Sequence, residues 1–181
     1  MPADPDLAMS APAMASGPTF EALSPGDPLP SIETPPLSTA HLVRWCGAAE
    51  NWHRIHYDHP FAVGHEGLPD VIVPGTLKQQ VLYRLLKDWA GPRGWVLELE
   101  YQFRGQDVPG DRLVASGHVT RTFERSGYGF VECAVLLHNP GRSGPSASGR
   151  GLVVLPLRHG PSVPHPFPPA LAPDLGGENL P

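Results

Sequence analysis

The sequence predicts an α+β domain with an antiparallel sheet, and three observations carry that expectation. Prolines gather at both ends of the chain, helical periodicity belongs to the first half of what lies between, and a period of two takes over from Gly94. Of the 181 residues, 20 are glycine and 24 are proline; nine prolines fall in residues 1–36, seven in 159–181 and only eight in 37–158. One domain over 37–158 follows, since domains of about 100–150 residues are the commonest.

Residues 1–18 are Ala, Pro, Ser and Met with two acids, too little apolar surface to offset the entropy of ordering, and are expected to form a disordered tail. Residues 19–36 set isolated apolar groups (Phe20, Leu23, Leu29, Ile32) among turn formers, which reads as an extended arm rather than a strand. Ser38 and Thr39 are N-cap residues before Leu42, Val43, Trp45, Cys46 and Ala49, a helical stripe that predicts a helix over 39–50. The stretch from Asn51 to Phe61 fits neither period and reads as a loop, with Pro60 interrupting any helix there. After Pro74-Gly75, Leu77, Val81, Leu82, Leu85, Leu86 and Trp89 recur at helical spacing, with Lys78, Gln79, Arg84 and Lys87 off the stripe. This clearest helix stops at Gly91-Pro92. Strands are expected around Val96–Phe103, Leu113–Val119, Phe130–Leu137 and Leu152–Leu157, separated by turns at Pro109-Gly110-Asp111, Ser126-Gly127 and the Gly/Ser/Pro-rich 139–149. Residues 159–181 read as a second proline-rich tail.

Charge excludes several functions. Thirteen Lys and Arg against 18 Asp and Glu leave a net charge of −5 with no basic block, so the footprint of a phosphate-backbone binder is missing and no nucleic-acid partner is expected. Asp4 and Asp6 precede the first basic residue, Arg44, where an export signal would be positive, and no run approaches the roughly 18 apolar residues of a membrane span. Cys46 and Cys133 lie far apart without a C-x-x-C pattern, which neither staples a fold nor builds a zinc site. A reducing, cytoplasmic setting is the expectation, with no membrane partner.

The loop Asn51-Trp52-His53-Arg54-Ile55-His56-Tyr57-Asp58-His59-Pro60-Phe61 holds the candidate chemistry. Four of the nine histidines (His53, His56, His59, His65) fall within 13 residues. His-x-x-His-x-x-His with Asp58 has the atoms of a metal site, but loop spacing fixes no geometry, and no metal is expected. Acid/base work is the other reading, because a histidine oriented by a polar neighbour carries protons near neutral pH; Asn51, five residues before His56, is such a neighbour.

From Ala49 to Ala62, read with Asp70-Val71-Ile72-Val73-Pro74-Gly75 and the helix after it, the chain resembles the MaoC-like hydratase/dehydratase family. The resemblance covers residues 38–157. It implies a single hot-dog domain, in which an antiparallel sheet wraps a long central helix. It also implies hydro-lyase chemistry on a 2-enoyl or 3-hydroxyacyl-CoA thioester, with CoA arriving as part of the substrate and no separate cofactor. Carried over by position, His56 matches the family's catalytic histidine and Gly75 the glycine whose N–H holds the thioester oxygen. A helix N-terminus suits that second role on physical grounds, since its N–H groups are free and carry partial positive charge.

Asn51 departs from the family pattern: it stands where the family's Asp-x-Asn-Pro-Ile-His motif has its aspartate, and an amide cannot exchange a proton. The form Asn-x-His-Arg-Ile-His-Tyr-Asp resembles the mesaconyl-CoA hydratase-like branch, and Asp88-Trp89-Ala90-Gly91-Pro92 is similar to small subunits of steroid enoyl-CoA hydratases. The resemblance thus implies that His56 moves protons and Asn51 holds water, with Asp58 or Glu50 as candidate carboxylate helpers, Asp58 being otherwise the cap of the next turn. It also implies pairing, either as a homodimer or with a second hot-dog subunit. Two rivals remain at this point: a hot-dog acyl-CoA thioesterase, which would want a carboxylate to activate water, and a non-catalytic partner of a heteromeric hydratase.

Overall fold

The computed structural model describes residues 16–173. In chain order come a 3-10 turn at Phe20–Ala22, strand β1 (Pro28–Glu33), helix α1 (Thr39–Ala48), a 3-10 turn at Arg54–His56, helix α2 (His59–Gly64) and helix α3 (Gly75–Ala90). Strands β2 (Trp95–Phe103), β3 (Val114–Arg125), β4 (Tyr128–His138) and β5 (Pro145–Leu155) follow, and then a 3-10 turn at Pro169–Leu171. The five strands make one antiparallel sheet in the order β1-β3-β4-β5-β2. The sheet curls around α3, the hot-dog arrangement that the resemblance implies.

α3 is the hub because its apolar stripe has somewhere to go. Val81, Leu82, Leu85, Leu86 and Trp89 are buried against the inner face of the sheet, among Ala115, Val119, Val131, Cys133, Val135, Val153 and Leu155. Each fully buried side chain of this kind stabilises the fold by about 1.5–3 kcal/mol before entropy is counted. The helix ends where Gly91 takes φ 67°, a left-handed conformation that glycine adopts without penalty. Gly151 of β5 lets helix and sheet approach, since a Cβ there would run into Leu86 Cδ1.

Several expectations need correction. Residues 28–33 are not an extended arm but the edge strand β1, paired with β3, with Leu29 and Ile32 buried. Pro28 and Pro30 are tolerated because an edge strand has one side on which no partner needs its N–H. The stretch 139–149 is not wholly turn: β5 starts at Pro145, and its small residues let it lie close to β2, where a Cβ on Gly149 would meet Glu100 O. Pro60 does not prevent a helix, because it occupies the first turn of α2, where its missing N–H costs nothing. The segment after 158 is not all tail. Val163 and Phe167 are buried on the outer face of the sheet with Tyr128, Phe130, Leu152 and Val154, and the Phe167 ring meets Tyr128 edge-on at 5.1 Å. Scattered apolar groups need no period to cover the outer face of a sheet, so composition alone misread them. The parts of the two expected tails at 1–15 and 174–181 lie outside the described residues.

Candidate active site

The 3-10 turn at Arg54–His56 is clamped beside the start of α3. Ile72 N–H donates to Ile55 O at 2.9 Å, and His56 Nδ1 lies 2.8 Å from Ile72 O. That carbonyl can only accept, so Nδ1 carries the proton and Nε2 keeps its lone pair. His56 is 7% exposed. Burial pushes its pKa below the ordinary histidine value, the Ile72 carbonyl pulls the other way, and nearby His53 lowers it further. The ring is thus neutral at neutral pH and has one free basic nitrogen, as a general base requires.

Three residues after Ile72, Gly75 opens α3. Pro74 O receives the N–H groups of Leu77 at 3.0 Å and Lys78 at 3.3 Å, so Gly75 and Thr76 stand in the turn whose N–H groups have no acceptor within the helix. Gly75 is packed under an aromatic wall, because a Cβ on it would lie 2.5 Å from Phe103 Cζ. Trp45 of α1 reaches over the same turn and donates to Thr76 Oγ1 at 2.8 Å.

The other candidates in the loop are engaged locally. Asn51 Oδ1 accepts the His53 N–H at 3.3 Å, while the Asn51 N–H donates to Cys46 O at 2.9 Å, so this amide shapes the turn into the histidine loop. Asp58 caps α2 by accepting the Phe61 N–H at 3.1 Å and is paired with Arg54 at 2.7 Å. The Arg54 hydrogen bonds hold its carboxyl below the usual carboxylate range. The remaining histidines diverge: His59 Nε2 lies 3.8 Å from Asp70, and His65 stacks on Phe61 at 4.8 Å. Among the described residues, no group of three His, Cys, Asp or Glu comes together as a metal would require.

One feature of the site escaped the sequence reading. Lys78, expected off the apolar stripe, is 3% exposed. Its Nζ lies 2.5 Å from Asp107 Oδ2 and donates to Gly105 O at 2.6 Å; Ser146 Oγ donates to the same carboxylate oxygen. Asp107 O in turn accepts the Val73 N–H at 2.8 Å. This buried pair ties the first turn of α3, and the segment that leads into it, to the loop after β2. The signal was present in the spacing: Lys78, Leu82, Leu85 and Trp89 follow one another at i, i+4, i+7 and i+11, so the lysine lies on the buried stripe.

Comparison with known proteins agrees with this architecture. Mesaconyl-C(4)-CoA hydratase of Chloroflexus aurantiacus is 36% identical over 76 residues, a match to 35% of this chain and 27% of that protein. The chain therefore spans about a quarter of the length of that curated relative. Among solved structures, the ChsH1-ChsH2 complex of Mycobacterium tuberculosis is similar with a TM-score of 0.65 at 20% identity, covering 73% of this chain and 98% of that one. The (R)-hydratase of A. caviae involved in PHA biosynthesis also gives 0.65 at 20% identity, covering 75% and 99%. The MaoC-like dehydratase of Rhodospirillum rubrum gives 0.67 at 21%, covering 78% and 99%. At these identities the structural likeness establishes the hot-dog fold. A family model described as hydroxyacyl-thioester dehydratase type 2 matches residues 15–105, from before β1 through α1, the histidine loop and α3 to just past β2, and the chain belongs to that family.

Proposed function

We propose that the protein is a hydro-lyase that adds water to a 2-enoyl-CoA thioester, or removes it from the 3-hydroxyacyl-CoA. The single observation that carries this reading is the state of His56: buried, neutral, with Nδ1 occupied by the carbonyl of Ile72, three residues before α3, and Nε2 free. In the hydration direction Nε2 takes a proton from water as the oxygen bonds to C3 of the substrate. Electron density moves to the thioester oxygen, held by the Gly75 N–H, and the His56 imidazolium then returns a proton to C2. Oxygen and both hydrogens of the water end on the substrate, and His56 is regenerated. Asn51 would hold the water through its amide, without the proton exchange that the aspartate of the family pattern performs.

A thioesterase reading finds less support, because the carboxylate nearest His56 in sequence, Asp58, is committed to Arg54 and to the α2 cap. Pairing with a second hot-dog chain, identical or different, is part of the proposal. β2 is an edge strand of nine residues free of proline, and it ends at Phe103, the wall beside Gly75.

The test is loss of the conjugated enoyl-thioester absorbance on a panel of short, branched, aromatic and steroid 2-enoyl-CoAs, with His56→Ala in parallel. Turnover of one class by the wild type and none by the folded variant is expected. A variant as fast as wild type overturns the role of His56. Turnover that appears only when a second hot-dog subunit is added would favour the partner-subunit reading over a self-sufficient enzyme.

A further inference from the structure

Position 78 is a place for a leucine. It shares its stripe on α3 with Leu82, Leu85 and Trp89, all buried. A buried ion pair there adds little to stability, because desolvation offsets most of the attraction and an apolar pair of the same volume often does as well. What Lys78 has and a leucine lacks is direction. Its ammonium reaches three points on the chain that leaves β2: the Asp107 carboxylate, Gly105 O at 2.6 Å, and the face of the Phe103 ring, with the centroid 5.9 Å away.

Residues 104–107 belong to no helix or strand, so these contacts decide where they lie. Their other anchor is β5, where Ser146 O accepts the N–H groups of Arg104 at 2.9 Å and Gly105 at 3.2 Å, and Ser146 Oγ donates to the Asp107 carboxylate. The segment bounds Gly75 on two sides. Asp107 O accepts the Val73 N–H at 2.8 Å, two residues before Gly75. Phe103, half-exposed at the end of β2, sets its ring against Gly75, where a Cβ would lie 2.5 Å from Cζ. Lys78 itself stands three residues after Gly75, about one turn along the helix. The chain that enters this turn, the ring that covers it and the helix that leaves it therefore share one reference point, the Lys78 ammonium.

We propose that Lys78 and Asp107 are positioning residues: they fix the direction of the Gly75 N–H and the place of the Phe103 ring beside it, so that the thioester oxygen meets a donor already aimed. The proposal rests on the hydro-lyase reading above. Neither residue touches substrate or moves a proton. A preorganised donor acts on charge that develops only in the transition state, so a loosened turn lowers kcat and kcat/KM together and leaves KM nearly unchanged.

The experiment separates positioning from stability. Lys78→Met with Asp107→Leu replaces the pair by apolar groups and keeps the core filled. On the 2-enoyl-CoA that the wild type hydrates fastest, kcat should fall about tenfold with KM within about twofold, while the urea midpoint returns close to the wild-type value. Phe167→Ala, on the outer face of the sheet, should do the opposite, lowering the midpoint and leaving kcat alone. The geometry is read without turnover through the Gly75 amide and Hα resonances, which lie within the ring current of Phe103. Phe103→Leu calibrates the shift for a ring removed altogether, and the double variant should move the Gly75 resonances towards those values. A wild-type kcat in the double variant, or Gly75 resonances that stay in place, overturns the proposal. Ser146→Ala takes only one donor from the Asp107 carboxylate and serves if the double variant does not fold: kcat should fall about threefold with the same Gly75 resonances displaced, and no change in either overturns the proposal. A wild type that hydrates no thioester discards the hydro-lyase reading, and the Gly75 resonances alone then uphold or overturn the hold of the pair on the turn.

Discussion

Gly75→Ala tests the oxyanion assignment most directly, because geometry makes the perturbation small and local. The added Cβ would lie 2.5 Å from Phe103 Cζ and 2.6 Å from Cε2, whereas carbon atoms rest at about 3.5–4.0 Å. Either the first turn of α3 or the aromatic wall beside it must therefore move by about 1 Å. Phe103 is 50% exposed and can yield towards solvent, and alanine is better in a helix than glycine by about 1 kcal/mol, so stability should change by less than about 1 kcal/mol. Catalysis has no such slack. A displacement of about 1 Å in a positioned group costs about a hundredfold in rate, or about 2.7 kcal/mol of transition-state stabilisation. The assay pairs enoyl-thioester hydration with urea unfolding: the rate should drop about a hundredfold while the unfolding midpoint barely shifts. Gly75→Ala combined with Phe103→Ala should regain part of the loss, since the contact partner is gone. A Gly75→Ala protein that hydrates at the wild-type rate while its crystal structure shows Phe103 unmoved refutes the assignment, because the reaction would then tolerate displacement where the thioester oxygen is held.

Other outcomes follow from the same structure. Because burial lowers the His56 pKa from 6.5, kcat/KM should stay flat through neutral pH and fall on an acid limb below 6.5. The unfolded chain then binds more protons than the folded one as pH falls through that window, so stability should also decline there, and His56→Gln should flatten that stability profile. Lys78→Met leaves Asp107 buried without its cation and should cost about 3–5 kcal/mol in urea unfolding; adding Asp107→Leu should recover most of it, and no recovery would show that the loss does not come from the unpaired carboxylate. A chain ending at Arg158 uncovers Tyr128 and Phe130, and should bind a hydrophobic dye while keeping its hydratase rate, because the uncovered face is opposite to α3. Loss of activity with intact folding would show that the segment reaches the site.

What the sequence made legible divides along physical lines. α3 and the four strands after it could be read because their burial is one-sided, and one-sided burial leaves a period of 3.6 or 2 in the residues. β1 and the segment carrying Val163 and Phe167 left no period. Their contacts are few apolar groups pressed onto a sheet that already exists, and prolines between those groups imitate a tail. His56 and Gly75 came forward only through motif resemblance, since nothing in spacing alone says that His56 turns inward while His53, His59 and His65 stay exposed. The Lys78–Asp107 pair joins residues 29 apart in sequence, and a charge on an apolar stripe reads as solvent-facing until its partner is known.

The two borders of the sheet differ in a way that governs growth. β1 carries Pro28 and Pro30 along one border, each withholding a backbone donor, whereas β2 offers nine residues without proline along the other. Antiparallel addition of another chain is thus open on one flank and hindered on the opposite flank. Two copies joined β2 to β2 would present only proline-bearing borders to the outside, and a third copy would find no template. The arrangement would make such assembly self-terminating, so a mutation that replaced Pro28 and Pro30 with strand formers would be a route to filaments in a protein whose site chemistry had not changed at all.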